Sequence, residues 1–104
     1  MQNLKYCLLD AKDGIYYVID GETLDDIALK FNTSKHLIIT DNNLTGEVKS
    51  GDCLYVKRYK TTLVVGVEDT PSSVAKKLGI SVEEMYKINK TNYIYPFMVV
   101  VNDW

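Results

Sequence analysis

Tyr16-Tyr17-Val18-Ile19-Asp20-Gly21-Glu22-Thr23-Leu24-Asp25-Asp26-Ile27-Ala28-Leu29-Lys30-Phe31-Asn32-Thr33-Ser34 decides the fold, because the chain writes it twice. It recurs 47 residues later, more loosely, as Leu63-Val64-Val65-Gly66-Val67-Glu68-Asp69-Thr70-Pro71-Ser72-Ser73-Val74-Ala75-Lys76-Lys77-Leu78-Gly79-Ile80-Ser81. In that register Val18 meets Val65, Thr23 meets Thr70, Ile27 meets Val74 and Ala28 meets Ala75. Phe31 meets Leu78, Ser34 meets Ser81 and, further on, Asn42 meets Asn89. Self-similarity of this length is one small structural unit used twice.

Each copy reads strand, helix, helix, strand. In the first, the β-branched and aromatic run Ile15–Ile19 follows the turn signal Asp13-Gly14. Thr23 is a good N-cap, and Leu24, Ile27, Ala28 and Phe31 fall at i, i+3, i+4 and i+7, one apolar stripe of a helix. Ser34 caps a second short helix carrying Leu37, Ile38 and Ile39, which Asp41-Asn42-Asn43 ends. A loop, Leu44 to Asp52, leads to the strand Cys53-Leu54-Tyr55-Val56. In the second copy, Thr70-Pro71 is an N-cap followed by a first-turn proline, and Gly79 stands at a C-cap. Ser81-Val82-Glu83-Glu84 is a capping box, with Val82, Met85, Tyr86 and Ile88 as the apolar face behind it. Asn89-Lys90-Thr91-Asn92 stops that helix, and Met98-Val99-Val100-Val101 is the last strand. The fold class is therefore α+β. It comprises two tandem βααβ modules, each a two-stranded antiparallel sheet with two helices on one face. Their bounds are residues 15–57 and 62–102. Residues 1–14 hold an additional strand, Leu4–Leu9.

Composition narrows the function. With 46% hydrophobic and 25% charged residues the chain reads as a globular domain, and no apolar run approaches the roughly 18 residues of a membrane span, so no membrane insertion is expected. Residues 1–52 carry nine acidic and five basic side chains, and residues 53–104 five and seven. Ordinary solvated surface explains this asymmetry, and it does not suit a nucleic-acid binder, which shows a basic stripe. The N-terminus lacks the apolar core of a secretory signal. The expected location is the cell wall or extracellular space for a mature or trimmed piece, and the cytoplasm or spore if Met1 is the true start. Cys7 and Cys53 lack C-x-x-C spacing and allow either one disulfide or two reduced thiols.

Catalytic chemistry finds no support. Asp25-Asp26 and Glu83-Glu84 are helix neighbours that do not point together, and helix-start charge explains them. His36 has no acid or cysteine at ligand spacing, so no metal site is expected. No G-x-S-x-G or P-loop frames any of the serines and threonines. No catalytic residue and no cofactor is assigned. Most of the eight tyrosines read as strand and core residues, with Tyr93 and Tyr95 the best placed to meet a ligand.

Tyr16 to Phe31 resembles the opening of a LysM domain, whose usual pattern is Y-x-V-x-x-G-D-T-L-x-x-I-A-x-x-F. The likeness continues through Thr33-Ser34 and Asn42-Asn43-Leu44. It closes with Val48-Lys49-Ser50-Gly51-Asp52-Cys53-Leu54-Tyr55-Val56, which is similar to I-x-P-G-Q-x-L-x-I. The second copy departs from the pattern at Glu68, at Pro71 and at Phe97, which follows Pro96 where glycine is usual. The resemblance implies a non-catalytic module binding polymers that contain N-acetylglucosamine, in peptidoglycan or chitin, and acting as a cell-wall attachment. It implies a groove between the loop Asp20, Gly21, Glu22, Thr23, Leu24 and the loop Asn42, Asn43, Leu44, Thr45. The matching second-module candidates are Asp69, Thr70, Asn92, Tyr93 and Ile94. The competing expectation is a LysM-like fold that has lost its glycan and serves protein association, through a protein partner or self-association, in envelope or spore-coat assembly.

Overall fold

The computed structural model describes residues 14–102. The expected strand at Leu4–Leu9, the Cys7 side chain and Trp104 lie outside them. The chain divides between Arg58 and Tyr59 into two compact units.

In the first unit, β1 (Ile15–Tyr17) is followed by helices α1 (Leu24–Lys30) and α2 (Lys35–Asn42) and by β2 (Cys53–Tyr55). β1 and β2 pair antiparallel, with Ile15 opposite Tyr55 and Tyr17 opposite Cys53. The strand expected to reach Ile19 ends at Tyr17, although pairing continues irregularly through Val18 N–H to the Asp52 carbonyl and Gly51 N–H to the Val18 carbonyl. Gly14 (φ +90°) opens the unit, where any Cβ would collide with the Val56 carbonyl oxygen. Cys53 is disulfide-bonded.

The second unit repeats the plan with β3 (Thr61–Val64), α3 (Pro71–Leu78), α4 (Val82–Ile88) and β4 (Val99–Asn102). β3 and β4 are antiparallel, with Thr61 opposite Asn102 and Val64 opposite Val99. The strand therefore begins at Thr61, one residue before the module bound read from the sequence.

The helices start where side chains can satisfy their orphan N–H groups. Ser81 and Glu84 form the expected capping box. Two further boxes use shorter partners: Thr23 with Asp26 and Thr70 with Ser73. All four helix ends are followed by a left-handed residue, at Asn32, Asn43, Gly79 and Lys90. After each, an N–H reaches back five residues, as from Leu44 to Ile39 and from Ile80 to Ala75. Leu44 and Ile80 then fold onto their cores, the apolar contact that accompanies such caps.

Each unit has its own core. Val18, Leu24, Ile27, Ala28, Ile38, Leu54 and Val56 are buried together in the first, with Phe31 half-buried against them. Val65, Val74, Ala75, Leu78, Met85, Met98 and Val100 do the same in the second. Cores this small leave little stability in reserve.

One polar device recurs beside each core. Asn42 donates to the carbonyls of Ile38 and Tyr55 (2.8 Å each) and accepts from Tyr55 N–H at 2.7 Å. Asn89 donates to the carbonyls of Met85 (2.9 Å) and Val101 (3.1 Å) and accepts from Val101 N–H at 2.8 Å. One side chain thus ties the end of the second helix to the last strand. Asn89 is buried and Asn42 only half-buried. Replacing Asn89 by alanine strands a buried donor and acceptor of β4 and is expected to cost about 2 kcal/mol in urea unfolding. Asn42→Ala should cost less, because water can reach its partners.

Candidate functional site

The first unit carries an open hollow of about 370 Å³ lined by Leu24, Lys35, Ile39, Leu44, Thr45, Gly46 and Glu47. Three elements build it. Leu24 comes from the first residue of α1, and Lys35 and Ile39 from one face of α2, a turn apart. The remaining wall is the chain leaving the Asn43 cap. Apolar surface from Leu24, Ile39 and Leu44 thus adjoins the Thr45 hydroxyl, the Gly46 backbone and two opposite charges.

Of the residues expected at the groove, Leu24, Leu44 and Thr45 line this hollow. The side chains of several others are engaged within the fold. Thr23 caps α1, Asn42 makes the strand clasp, and Asn43 is the left-handed cap of α2. Asp20 and Gly21 are exposed on the β1–α1 loop, with Gly21 at φ +78°. Lys35, Ile39, Gly46 and Glu47 were not anticipated. Lys35 and Ile39 could have been, because they stand four apart on a helix whose N-cap, Ser34, was readable.

Glu22 holds the β1–α1 loop shut. It accepts from the Tyr16 hydroxyl and from Lys30 Nζ, each at 2.8 Å, and from Ile19 N–H at 3.2 Å. Lys30 Nζ also donates to the Tyr16 hydroxyl at 2.7 Å and lies 4.8 Å from the centre of its ring. The Tyr16 ring in turn meets Phe31 edge-on at 4.9 Å. The Lys30 ammonium, with the Tyr16 hydroxyl and Ile19 N–H, holds the Glu22 carboxyl below its ordinary pKa, and Glu22 raises that of Lys30.

Asp69 is the counterpart in the second unit. It accepts from Lys77 Nζ at 2.9 Å, Gly66 N–H at 2.8 Å and Ser73 Oγ at 2.8 Å. Of the other second-module candidates, Thr70 caps α3, Ile94 packs on the core, and Asn92 and Tyr93 are exposed. Of the three acids that the sequence places at a ligand loop, Glu22 and Asp69 are therefore braces of that loop, while Asp20 is exposed. Among the described residues, no group of three or more His, Cys, Asp and Glu side chains could hold a metal ion. No helix of the described residues is long and apolar enough to cross a membrane.

The family model for the LysM domain matches residues 16–57 and again 63–101. The chain belongs to the LysM domain family. It carries two LysM copies in tandem, and LysM domains are binding rather than catalytic domains that generally bind glycans containing N-acetylglucosamine. No curated protein sequence matches the chain. Among solved structures, it is similar to the spore cortex-lytic enzyme SleL of Bacillus megaterium QM B1551, at 24% identity and a TM-score of 0.43. That match covers 86% of this chain and 22% of the enzyme. The SleL of Bacillus cereus gives 17% identity and a TM-score of 0.41, over 84% of this chain and 21% of that one. The chain thus spans about a fifth of the length of these proteins.

The braces set an acid limit. Lys77 first, then the Gly66 N–H and Ser73, lower the Asp69 pKa from 3.8 to about 2. A carboxyl depressed in the folded state contributes stability above its unfolded pKa and loses that contribution as pH falls through the folded value. The thermal midpoint of the second unit should therefore drop between about pH 4 and pH 2. Asp69→Asn should flatten that drop while lowering the midpoint at neutral pH, both readable by circular dichroism.

Proposed function

We propose that the chain is a non-catalytic glycan-binding protein that holds polymers containing N-acetylglucosamine, peptidoglycan or chitin, and serves as a cell-wall attachment module. The observation that carries this reading is the hollow at Leu24, Ile39, Leu44 and Thr45 in a chain of LysM copies. An N-acetyl group presents one amide donor, one carbonyl acceptor and one methyl. Leu24, Ile39 and Leu44 supply an apolar seat for the methyl. Backbone groups of the Asp20–Thr23 loop and of Leu44–Gly46 supply partners for the amide. Thr45, Lys35 and Glu47 can meet ring hydroxyls, since each is exposed and carries a polar end.

In this reading Glu22 and Asn42 act indirectly. Glu22 holds one wall of the groove and Asn42 anchors the start of the other, so both place backbone rather than touching sugar. A shallow, open seat binds one oligosaccharide weakly. Binding at both units of one chain makes the second event intramolecular and raises apparent affinity on a polymer.

Addition of chitopentaose or a peptidoglycan fragment should move backbone NMR signals of Leu24, Ile39 and Leu44–Glu47. Thr45→Arg places a long charged side chain over the hollow without entering the core. It should weaken that binding about tenfold, a change of ~1.4 kcal/mol. Titration that leaves these signals unmoved removes the reading.

A further inference from the structure

The loop before the last strand has the same path in both units and opposite chemistry. Gly51 N–H donates to the Val18 carbonyl and Phe97 N–H to the Val65 carbonyl, each at 2.7 Å. Val48 packs on the first core and Ile94 on the second. These pairs fix a register in which Glu47 corresponds to Tyr93, Lys49 to Tyr95 and Gly51 to Phe97. The first unit therefore presents a charged loop, with Glu47, Lys49 and Asp52. The segment Thr91–Met98 holds no charged residue at all.

The three aromatic side chains face water. Tyr93 is 56% exposed, Tyr95 50% and Phe97 74%. Tyr93 and Tyr95 flank Ile94, which packs on the core, and Phe97 follows the exposed Pro96 in the turn that Met98 N–H closes on the Tyr95 carbonyl. The rings of Tyr93 and Tyr95 lie 6.0 Å apart, with planes within 30° of each other. Phe97 has φ +69°, where its counterpart Gly51 has φ +89°. A bulky residue in left-handed backbone is strained, and its exposed ring regains little by burial. Glycine would serve the turn better, so the framework alone does not account for phenylalanine there.

We infer that Tyr93, Tyr95 and Phe97 form a stacking platform of the second unit for a neutral β-1,4-linked sugar chain. Sugars in such chains carry their hydroxyls at the ring edge and expose C–H groups on the ring faces, which suit the electron-rich faces of aromatic rings. The separation of the two tyrosine rings is comparable with the advance of one sugar along the chain. Their hydroxyls can meet sugar hydroxyls at the rim. An uncharged loop favours a neutral polymer over a charged peptide. The inference rests on the glycan reading proposed above but assigns a different mode. The first unit's hollow reads the N-acetyl group, whereas a stacking platform reads the ring face.

That difference gives the test, made on the full chain with chitopentaose and with cellopentaose, which lacks the N-acetyl groups. Both sugars should move the ring signals of Tyr93, Tyr95 and Phe97 in NMR, while only chitopentaose moves Leu24 and Leu44–Glu47. The double variant Tyr93→Ala/Tyr95→Ala should lower retention on insoluble chitin at least about tenfold through lost avidity. It should leave the chitopentaose shifts of the first unit in place. Phe97→Gly should raise the thermal midpoint and still weaken cellopentaose binding. Ring signals unmoved by both sugars, or variants that bind as the parent does, overturn the platform. If the first unit's signals move meanwhile, the hollow stands alone; if only the rings move, the platform stands and the hollow falls. Variants that change the sedimentation of the free chain and not its sugar binding overturn the inference in favour of self-association.

Discussion

A single asparagine per unit holds the fold closed. Strands of three or four residues make few ladder hydrogen bonds, and a two-stranded sheet is weak by itself. Asn42 and Asn89 compensate by treating the last strand as an extension of the second helix. Each fills both a donor and an acceptor of one strand residue while also capping a helical carbonyl. The whole excursion between helix and strand is thereby pinned at both ends. In the first unit that excursion forms one wall of the hollow, so the candidate site inherits its geometry from the clasp.

The second constraint lies in the other wall. A strand-to-helix loop is free to swing unless something ties it, and an acid paired with a lysine eight residues on does so in both units. Glu22 adds an aromatic support that Asp69 lacks, through Tyr16 and Phe31. Arg58 covers the Phe31 ring at 4.9 Å, extending that support towards the end of the unit. Duplication has kept the clasp and the brace and changed what the loops present. A charged loop marks the first unit, and an uncharged aromatic loop marks the second.

The helices were legible because their signals are local. A cap, its N3 partner and an apolar stripe lie within eight residues, so Thr23, Ser34, Thr70 and Ser81 announce the helix starts without tertiary help. The strands were legible in place but not in extent. Tyr17 and Val99 bound regular pairing because the chain beside them is bent by Gly51 and Phe97, and no propensity of phenylalanine reveals the positive φ that Phe97 adopts. The candidate site was half legible. Leu24, Leu44 and Thr45 were anticipated, whereas Glu22 and Asn42 read as ligand groups because they sit in the right loops. Their side chains turn inward because partners 8 and 13 residues away complete their hydrogen bonds.

The sequence by itself determined the repeated unit, its βααβ order, its caps and the family to which it belongs. These follow from periodicity and from spacing along the chain, both written in one dimension. Tertiary structure alone decided which polar side chains serve the fold and which surfaces remain for a ligand. Its hydrogen bonds also bear out that Phe97, which the family pattern sets at the glycine position, occupies the place of Gly51. The 47-residue repeat slips by one residue in its last loop, and hydrogen bonds to Val18 and Val65 hold that register. Those bonds join segments far apart in sequence, and such pairings depend on the closed fold.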